Sequence, residues 1–325
     1  MANESQKMKS ILRDAGIALA LLVLILVFAI TAENFLAPAN ITNILTQVTI
    51  NLILATGMTF VILIGGIDLS VGSILALCAV VGGTVMNLSG LDVVSAVLLA
   101  TVVSILVGIA CGMANGLISA YWGIPSFIVT LGMFNVARGA ALQFTHAQPI
   151  YSFPPELINF GEAAISFYYF SIPLTFIVAL ILVLVAWFIL TKTVFGRLLY
   201  AIGNNEEAVR LAGHPVFWYK VAAFTIAGGI VGIGAIIYIA RLSIASPNGG
   251  TGYELNAIAA VIIGGTSLNG GRGSVFGTLV GAIIISVLAN GLVLLGLGDF
   301  IRQMITGLVI ILAVVLDKYR ERLAR

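Results

Sequence analysis

Charged residues are scarce in this sequence. They make up 9% of its 325 residues, whereas soluble proteins average about 25%. Hydrophobic residues account for 60% of the chain, and the mean hydropathy is +1.15. This composition predicts an all-α, polytopic membrane protein, because long apolar segments with few charges satisfy their backbone best as membrane-spanning helices. It leaves no stretch large enough for a soluble catalytic domain, so we expect the chain not to be an enzyme.

The residues that several kinds of chemistry require are also missing. The two cysteines, Cys78 and Cys111, both lie in apolar segments and match neither a disulfide framework nor a metal site. The two histidines, His146 and His214, have no neighbouring ligands in the sequence. No phosphate-binding loop of the P-loop type occurs, which excludes ATP binding through that motif. We therefore expect no metal and no cofactor.

The apolar runs predict about ten transmembrane helices. The run at 15–31 lacks a small-residue cleavage site, and we interpret it as an anchored first span and not a removed signal peptide. The eighth run is short for a crossing that needs about 20 residues. A further short helix is expected after Pro155, outside the membrane. The predicted spans cover residues 15–31, 44–65, 73–88, 93–119, 127–144, 172–190, 221–240, 254–264, 275–295 and 300–316.

The distribution of basic residues predicts the orientation of the chain. If the N-terminus is cytoplasmic and the spans alternate, all of the 15 Lys and Arg residues fall inside except Arg138, Arg241 and Arg302. Such a bias follows the positive-inside rule. We expect both chain termini in the cytoplasm, with a tail at 1–14, a single transmembrane domain at 15–316, a cytoplasmic loop at 192–217 and a basic tail at 317–325.

The loop at 192–217 contains a short helix whose ends are marked in the sequence. Asn204 is a candidate N-cap, and Glu207 lies three residues later, which approximates a capping box. Gly213 is suited to the residue after the helix, and Pro215 prevents continuation. The helix is either a docking element for a partner or an ordinary solvated connector. If it docks, the expected face points away from the Leu211–Ala212 side and consists of Asn205, Glu206, Val209 and Arg210.

A glycine-interrupted pattern occurs twice, at 61–70 and again about 199 residues later at 261–269. Each copy has apolar residues, two glycines and polar residues, and an apolar span follows. Such interruptions in two halves of a transporter indicate broken helices near the pathway. The alternative is coincidence, since turns of this kind arise easily in glycine-rich membrane proteins. Alternating spans make the two copies parallel; an inverted arrangement would mean that one span is miscounted.

Polar residues within the apolar regions are candidates for the translocation pathway. Asp68 is costly at that depth and is either functional or an N-cap for the helix beginning near Leu69, and the two roles are compatible. Arg138 lies about 16 Å into its helix by rise per residue. It lines a pathway, pairs with an acid such as Asp68, or snorkels towards the outer surface. The full candidate set is Asp68, Ser70, Asn135, Arg138, Glu254, Thr266 and Ser267.

Three motifs in order resemble one family, and the resemblance covers nearly the whole chain. They are GGIDLSVGS at 65–73, GRLLYAIGNNEEA at 196–208, and GYEL at 252–255 followed by GGTSL at 264–268. Together they are similar to the permease subunits of bacterial monosaccharide ABC importers, of the ribose-permease type. Such a subunit lies in the bacterial inner membrane and crosses it several times. The resemblance implies the type II importer fold, a permease homodimer, a cytoplasmic ATPase and a periplasmic or lipoprotein sugar-binding protein.

The resemblance also gives the loop at 192–217 a role, as the coupling helix that docks on the ATPase. The residues implied in coupling are Arg197, Asn204, Asn205, Glu206, Glu207, Val209, Arg210 and Gly213. Two alternatives remain. Related permeases carry branched-chain amino acids or nucleosides, and an autonomous secondary carrier would need no ATPase. The second is disfavoured, because the spans lack the acidic relay of a proton-driven carrier.

Overall fold

The computed structural model describes the backbone of residues 2–88 and 90–324, and the side chains of residues 16–88, 90–312, 314 and 315. The described backbone is almost entirely helical. Its elements are α1 (Ala2–Thr31), α2 (Pro38–Leu63), α3 (Val71–Leu88), α4 (Val93–Trp122), α5 (Ser126–Phe144), α6 (Pro155–Glu162), β1 (Ala164–Ser166), β2 (Ser171–Pro173), α7 (Leu174–Lys192), α8 (Val194–Asn204), α9 (Glu206–Leu211), α10 (Val216–Leu242), α11 (Tyr253–Ile263), α12 (Val275–Leu294) and α13 (Asp299–Ala324).

The all-α, polytopic architecture is confirmed. Seven of the described helices are long and apolar enough to cross a membrane, namely α2, α3, α4, α5, α7, α10 and α12. The apolar parts of α1 (Gly16–Thr31) and α11 are shorter, so a total of about ten spans stays a prediction. The helix expected after Pro155 is α6. A small antiparallel hairpin, β1 with β2, follows it and was not predicted from the sequence.

Helix α2 lies at the centre of the bundle, and its residues from Val48 to Leu63 are almost all buried. It packs against α7, α10, α11 and α12. Helices α4 and α10 make the closest pair, and the sequence shows why. Glycines recur every four residues on α4, at 108, 112 and 116, so a Cβ at Gly108 would overlap the carbonyl oxygen of Gly228 on α10. Small residues at this spacing let helix backbones approach closely in membranes.

Two non-helical segments, each partly buried, interrupt the helices. Residues 64–70 separate α2 from α3, and residues 243–252 separate α10 from α11. The first residues of α3 and α11 meet, because a Cβ on Gly72 would collide with the Glu254 carboxylate and the Gly250 carbonyl oxygen. From that point the two helices run in opposite directions. Helix α3 ends near Tyr151, whose carbonyl accepts from the Asn87 amide, and α11 ends beside the last turn of α2.

Non-helical backbone inside a membrane protein is tolerated where it is buried in protein or lines a cavity. The paired interruptions are therefore the feature that positions the candidate site. We call the contact between the two helix beginnings, at Gly72, Gly250 and Glu254, the half-helix junction.

Candidate coupling and translocation sites

The charged loop folds into two helices, α8 and α9. Thr193 caps α8 by accepting a hydrogen bond from the Gly196 backbone N–H at 3.1 Å. Asn205 caps α9, since its Oδ1 accepts from the Ala208 N–H at 3.0 Å. The prediction that Asn204 is the N-cap, with Glu207 completing a capping box, is therefore wrong by one residue. Asn204 ends α8 because an additional helix, not predicted from the sequence, fills residues 194–204.

The C-terminal end of α9 matches the sequence prediction. Gly213 has a φ of 84°, in the left-handed region. Its N–H donates to Arg210 O at 3.0 Å, and the His214 N–H donates to Val209 O at 3.3 Å. These two bonds form a Schellman motif, which ends the helix as glycine at this position favours.

The exposed face of α9 differs from the predicted docking face. Val209 is only 8% exposed and packs into the core, whereas Leu211 is 79% exposed. Val209 is therefore excluded from a docking surface, and the Leu211 side faces outward. Glu206 pairs with Lys220 at 2.6 Å, and Glu207 pairs with Arg210. Such exposed pairs contribute little stability, but they fix the direction of the charged side chains.

Helix α8 connects this surface to the interior. The Asn204 amide donates to Gly271 O at 3.2 Å, and the Tyr200 hydroxyl donates to Gly273 O at 3.0 Å. The Gly271 N–H in turn donates to Leu63 O at 2.8 Å, at the end of α2. At Gly203 the backbones approach so closely that a Cβ would overlap Leu63 O. A displacement of α9 and α8 would therefore act directly on the ends of α2 and α11.

The repeated glycine pattern is a repeated helix ending. Gly65 and Gly265 have φ values of 75° and 82°. Each donates to the residue three before it, to Ile62 O at 2.9 Å and to Ile262 O at 2.8 Å. The next residues, Gly66 and Thr266, complete the same motif by donating to Val61 O and Val261 O. Both helices end at the α8 side of the bundle, so the two copies are parallel.

Asp68 fixes the beginning of α3. It is buried, and its Oδ1 accepts from the Ser70 N–H at 2.8 Å and from the Ser70 hydroxyl at 2.5 Å. The Asn115 amide donates to the same hydroxyl at 2.9 Å. Helix α5 holds the segment before α3, because the Thr130 hydroxyl accepts from the Leu69 N–H at 3.0 Å. The N-cap role predicted for Asp68 is wrong, because Asp68 accepts from Ser70, the residue immediately before α3, and not from an N–H of the first helical turn. Asn115 and Thr130 had no signal in the sequence.

Arg138 has a different partner from the one predicted. Its Nη1 donates to Pro247 O at 2.5 Å and to Gly249 O at 2.9 Å, and its guanidinium lies 5.9 Å from the centre of the Phe134 ring. Asp68 is bound to Ser70, so the hypothesised Asp68–Arg138 ion pair is not formed. Arg138 instead holds the non-helical segment 243–252, because backbone carbonyls there have no helical donors.

The remaining candidates divide between two places. Glu254 is at the half-helix junction, where its Oε1 accepts from the Gly252 N–H at 3.1 Å. Its Oε2 is buried, and no described residue donates to it. Thr266 and Ser267 lie instead in the turn after α11, near Gly273. Asn135 is exposed on α5 and donates to Leu131 O within its own helix. The structure therefore does not bring all seven residues into one site.

The arrangement can transmit a movement, but the described side chains offer no catalytic or metal-binding group. Three or more metal-ligating residues do not cluster anywhere in that part of the chain. The buried junction, the non-helical segments and the surface helix α9 are features of a protein that moves a solute and is driven from outside its own chain.

Comparison with known proteins gives consistent results. The family described as branched-chain amino acid transport system / permease component matches residues 40–314. The Ribose import permease protein RbsC of Bacillus subtilis (strain 168) is 43% identical over 318 residues, covering 96% of this chain and 94% of the relative. RbsC of Escherichia coli (strain K12) is 40% identical over 319 residues, or 96% of each chain. No solved structure matches.

A relative with a different sugar in its name is also similar over its whole length. The D-allose transport system permease protein AlsC of Escherichia coli (strain K12) is 36% identical over 304 residues, covering 93% of this chain and 91% of the relative. The similarity is therefore spread along the chain and includes α8, α9 and both glycine turns.

Proposed function

The chain belongs to the permease family of bacterial ABC importers of the ribose type, and we propose that it is the membrane subunit through which a monosaccharide, most closely ribose, enters the cell. The family members are multi-pass proteins of the bacterial inner membrane that act with an ATPase and a binding protein. The observation that supports a sugar as the cargo is the identity of 40–43% to ribose permeases over 96% of this chain. The chain is accordingly a transport subunit and not an enzyme.

The sugar proposal is favoured over the branched-chain amino acid alternative. The matching family carries the amino acid in its description, but the relatives compared above are named for ribose and allose. An autonomous carrier is disfavoured because relatives of the same length work as permease components of multi-subunit importers. We propose a monosaccharide as the cargo and use D-ribose as the probe in the experiments.

We propose further that the permease has the type II importer fold with about ten spans and cytoplasmic termini. The domain limits proposed from the sequence stay the same: tails at 1–14 and 317–325, and the transmembrane domain at 15–316. The side chains of both tails lie outside the described residues. We also propose a homodimer. It would cover helix α5, which is mostly exposed in one copy of the chain even though its Arg138 holds the segment before the half-helix junction.

The coupling surface is the exposed side of the loop at 192–217. We assign to it Arg197, Asn204, Asn205, Glu206, Glu207, Arg210, Gly213 and, in place of Val209, the exposed Leu211. Asn204 is itself exposed and also donates to Gly271 O. The assignment is supported by the bonds from α8 to Gly271 and Gly273, in the segment after α11, and by the close approach of Gly203 to the end of α2. A docking helix must be connected to the part that moves.

The experiment uses the permease, its ATPase and its sugar-binding protein reconstituted in liposomes, with radiolabelled D-ribose. Leu211→Asp should abolish ATP-driven uptake and reduce co-purification of the ATPase at least tenfold, since it places a charge in an apolar contact. Leu88→Asp is the matched control, because Leu88 is 77% exposed at the opposite end of the bundle. Normal uptake by the Leu211 variant would overturn the coupling assignment.

The same preparation tests the cargo. The wild-type complex should accumulate D-ribose only with ATP and the binding protein. Accumulation by the permease alone, sensitive to an ionophore, would instead show a secondary carrier. Accumulation of leucine and not of any sugar would contradict the sugar as cargo but not the assignment as an ABC importer subunit.

A further inference from the structure

Two buried polar atoms of opposite charge have no partner beside the half-helix junction. The Nη2 of Arg138 and the Oε2 of Glu254 are both buried, and neither has a hydrogen-bond partner among the described residues. Buried polar groups are nearly always paired, so two exceptions in one place need a physical reason. The first atom is a donor on a cation and the second is an acceptor on an anion, so each could satisfy the other.

The two residues hold the same non-helical segment from its two sides. Arg138 Nη1 donates to Pro247 O at 2.5 Å and to Gly249 O at 2.9 Å. Glu254 Oε1 accepts from the Gly252 N–H at 3.1 Å. Glu254 is a carboxylate within electrostatic range of the guanidinium, but no ion pair joins the two in the part of the chain that the structure describes. Each charged group is bonded to the backbone between them.

An exchange of partners would satisfy both leftover atoms. If Arg138 leaves the Pro247 and Gly249 carbonyl oxygens, its fork of donors can bind the Glu254 carboxylate through Nη2 and Oε2. The exchange frees the two carbonyl oxygens, so each arrangement leaves some polar atoms unpaired. Two arrangements of comparable free energy form a bistable element, which a movement of the coupling loop can bias.

The segment between the two residues is able to change its backbone conformation. Three of the four residues at 249–252 are glycine, and Gly250 and Gly252 have φ values of 70° and 84°. Glycine populates positive and negative φ about equally, so this stretch can rearrange at little steric cost. Helix α11 follows directly and has no side-chain bond at its N-cap. A rearrangement at 249–252 would therefore move the start of α11.

We propose that Arg138 changes partners during the transport cycle: it leaves the Pro247 and Gly249 carbonyl oxygens and forms an ion pair with Glu254. The exchange releases the segment 243–252 and moves the start of α11. Arg138 and Glu254 are positioning residues in this scheme, because they act on α11 and not on the cargo. The inference rests on the proposed function and adds a conformational switch to it.

A double-mutant cycle tests the exchange, with D-ribose uptake by the reconstituted importer as its first readout. Arg138→Met and Glu254→Gln should each reduce uptake at least tenfold, because either change prevents the ion pair. The double variant should be no worse than the more impaired single variant, since residues that act as a unit have non-additive effects. Arg138→Lys keeps the charge and should retain more uptake than Arg138→Met. Losses that multiply in the double variant would overturn the inference.

Thermal unfolding of the same variants is the second readout, and it separates a switch from a permanent ion pair. Arg138 and Glu254 are not bonded to each other in this conformation. The shifts in melting temperature of the two single variants should therefore add in the double variant, measured on the purified permease without nucleotide. Non-additive shifts would mean that the two residues form a permanent ion pair, and the exchange would be contradicted.

Labelling of the segment keeps the test valid if Arg138→Met does not fold. Asn248 is exposed within the segment, and Asn248→Cys can be labelled with a maleimide in a Cys111→Ser background, since Cys78 is buried. In the permease–ATPase complex without the binding protein, we expect labelling rates that differ at least threefold between the nucleotide-free and the vanadate-trapped state. Glu254→Gln should abolish this difference.

The matched control for the labelling experiment is Glu33→Gln, which neutralises an exposed carboxylate between α1 and α2. It should keep the difference between the two states. The same difference in the Glu254 and Glu33 variants would overturn the inference, and so would the absence of a difference in the wild-type background.

The wild-type complex is the control for the parent proposal. Its failure to accumulate D-ribose, D-allose, L-arabinose or D-galactose would overturn the proposed function, and the labelling experiment, which needs no sugar, would still test the exchange. Wild-type uptake together with multiplying losses in the double variant would overturn the exchange alone.

Discussion

Helices α3 and α11 begin at the same junction, but their beginnings are built differently. The start of α3 is held by several side chains: Asp68 accepts from Ser70, Asn115 donates to the Ser70 hydroxyl, and Thr130 accepts from the preceding backbone. One polar atom there, the Asn115 carbonyl oxygen, is buried without a donor among the described residues. The start of α11 has no side-chain cap, and the second oxygen of Glu254 is without a donor among the described residues. A cavity of about 240 Å³ between α2, α10, α11 and α12 adjoins α11 and not α3.

The difference indicates a fixed element and a movable one. The bonds from Asp68, Asn115 and Thr130 would break if the start of α3 shifted, at about 1–3 kcal/mol for each buried group left unpaired. The start of α11 is held by fewer side-chain bonds, so rearrangement costs less there. Helix α8 donates hydrogen bonds to the Gly271 and Gly273 carbonyls, in the segment that follows α11. It approaches the end of α2 at Gly203, and no bond from α8 to the start of α3 is present among the described residues. A movement of the coupling loop should therefore act mainly on α11.

The largest effect is expected from Gly72→Val, which breaks the junction itself. A side chain there collides with the Gly250 carbonyl oxygen and the Glu254 carboxylate. We expect a loss of about 3 kcal/mol or more, because overpacking against backbone has no rotamer that relieves it. Thermal unfolding of the purified permease in detergent measures it. Gly132→Val is the control, since no atom lies within 4 Å of its Cβ position; equal losses would contradict the close contact.

Asp68→Leu should have the next largest effect. It removes the acceptor of both the Ser70 N–H and the Ser70 hydroxyl, and two buried donors lose their partner. We expect a loss of stability of about 2–3 kcal/mol, measured by the same unfolding assay. Asp68→Asn keeps Oδ1 and should lose less than half as much. If Asn and Leu are equally destabilising, the charge of Asp68 matters and its bonds to Ser70 do not.

Arg138→Met should have a smaller effect, about 1–2 kcal/mol. The change removes the donors for the carbonyl oxygens of Pro247 and Gly249 and frees the segment before α11. Limited proteolysis within 243–252 should accelerate, whereas cleavage between α2 and α3 should not. Arg138→Lys, which retains a donor, should be intermediate. Faster cleavage between α2 and α3 instead would show that Arg138 holds the segment before α3.

Glu254→Gln should have the smallest effect on stability, below about 1 kcal/mol. The amide keeps the acceptor for the Gly252 N–H, and the lost charge had no donor on its second oxygen. Uptake should nevertheless change if α11 is the element that moves. A destabilisation as large as that of Asp68→Leu would show that the two helix beginnings are equally fixed.

Particular elements show how far the sequence alone could go. The apolar runs predicted the seven described helices that are long and apolar enough to cross a membrane, since such a helix is determined by local composition and length. The turns at Gly213, Gly65 and Gly265 could be recognised in the sequence because few residues other than glycine adopt a left-handed backbone conformation. Asn205 was missed by one residue, because α8 fills the space before it and the sequence carries no separate signal for that helix.

What the sequence determined by itself is the class of molecule, the orientation expected from basic residues, and the family, because each depends on composition or on contiguous motifs. Only the tertiary structure determined which residues form hydrogen bonds with one another and which side chains are exposed. Arg138 binds carbonyls 109 and 111 residues away, and Val209 turns inward while Leu211 faces out. The cavity combines residues from four helices. Such contacts depend on how helices pack, and apolar periodicity leaves that undetermined.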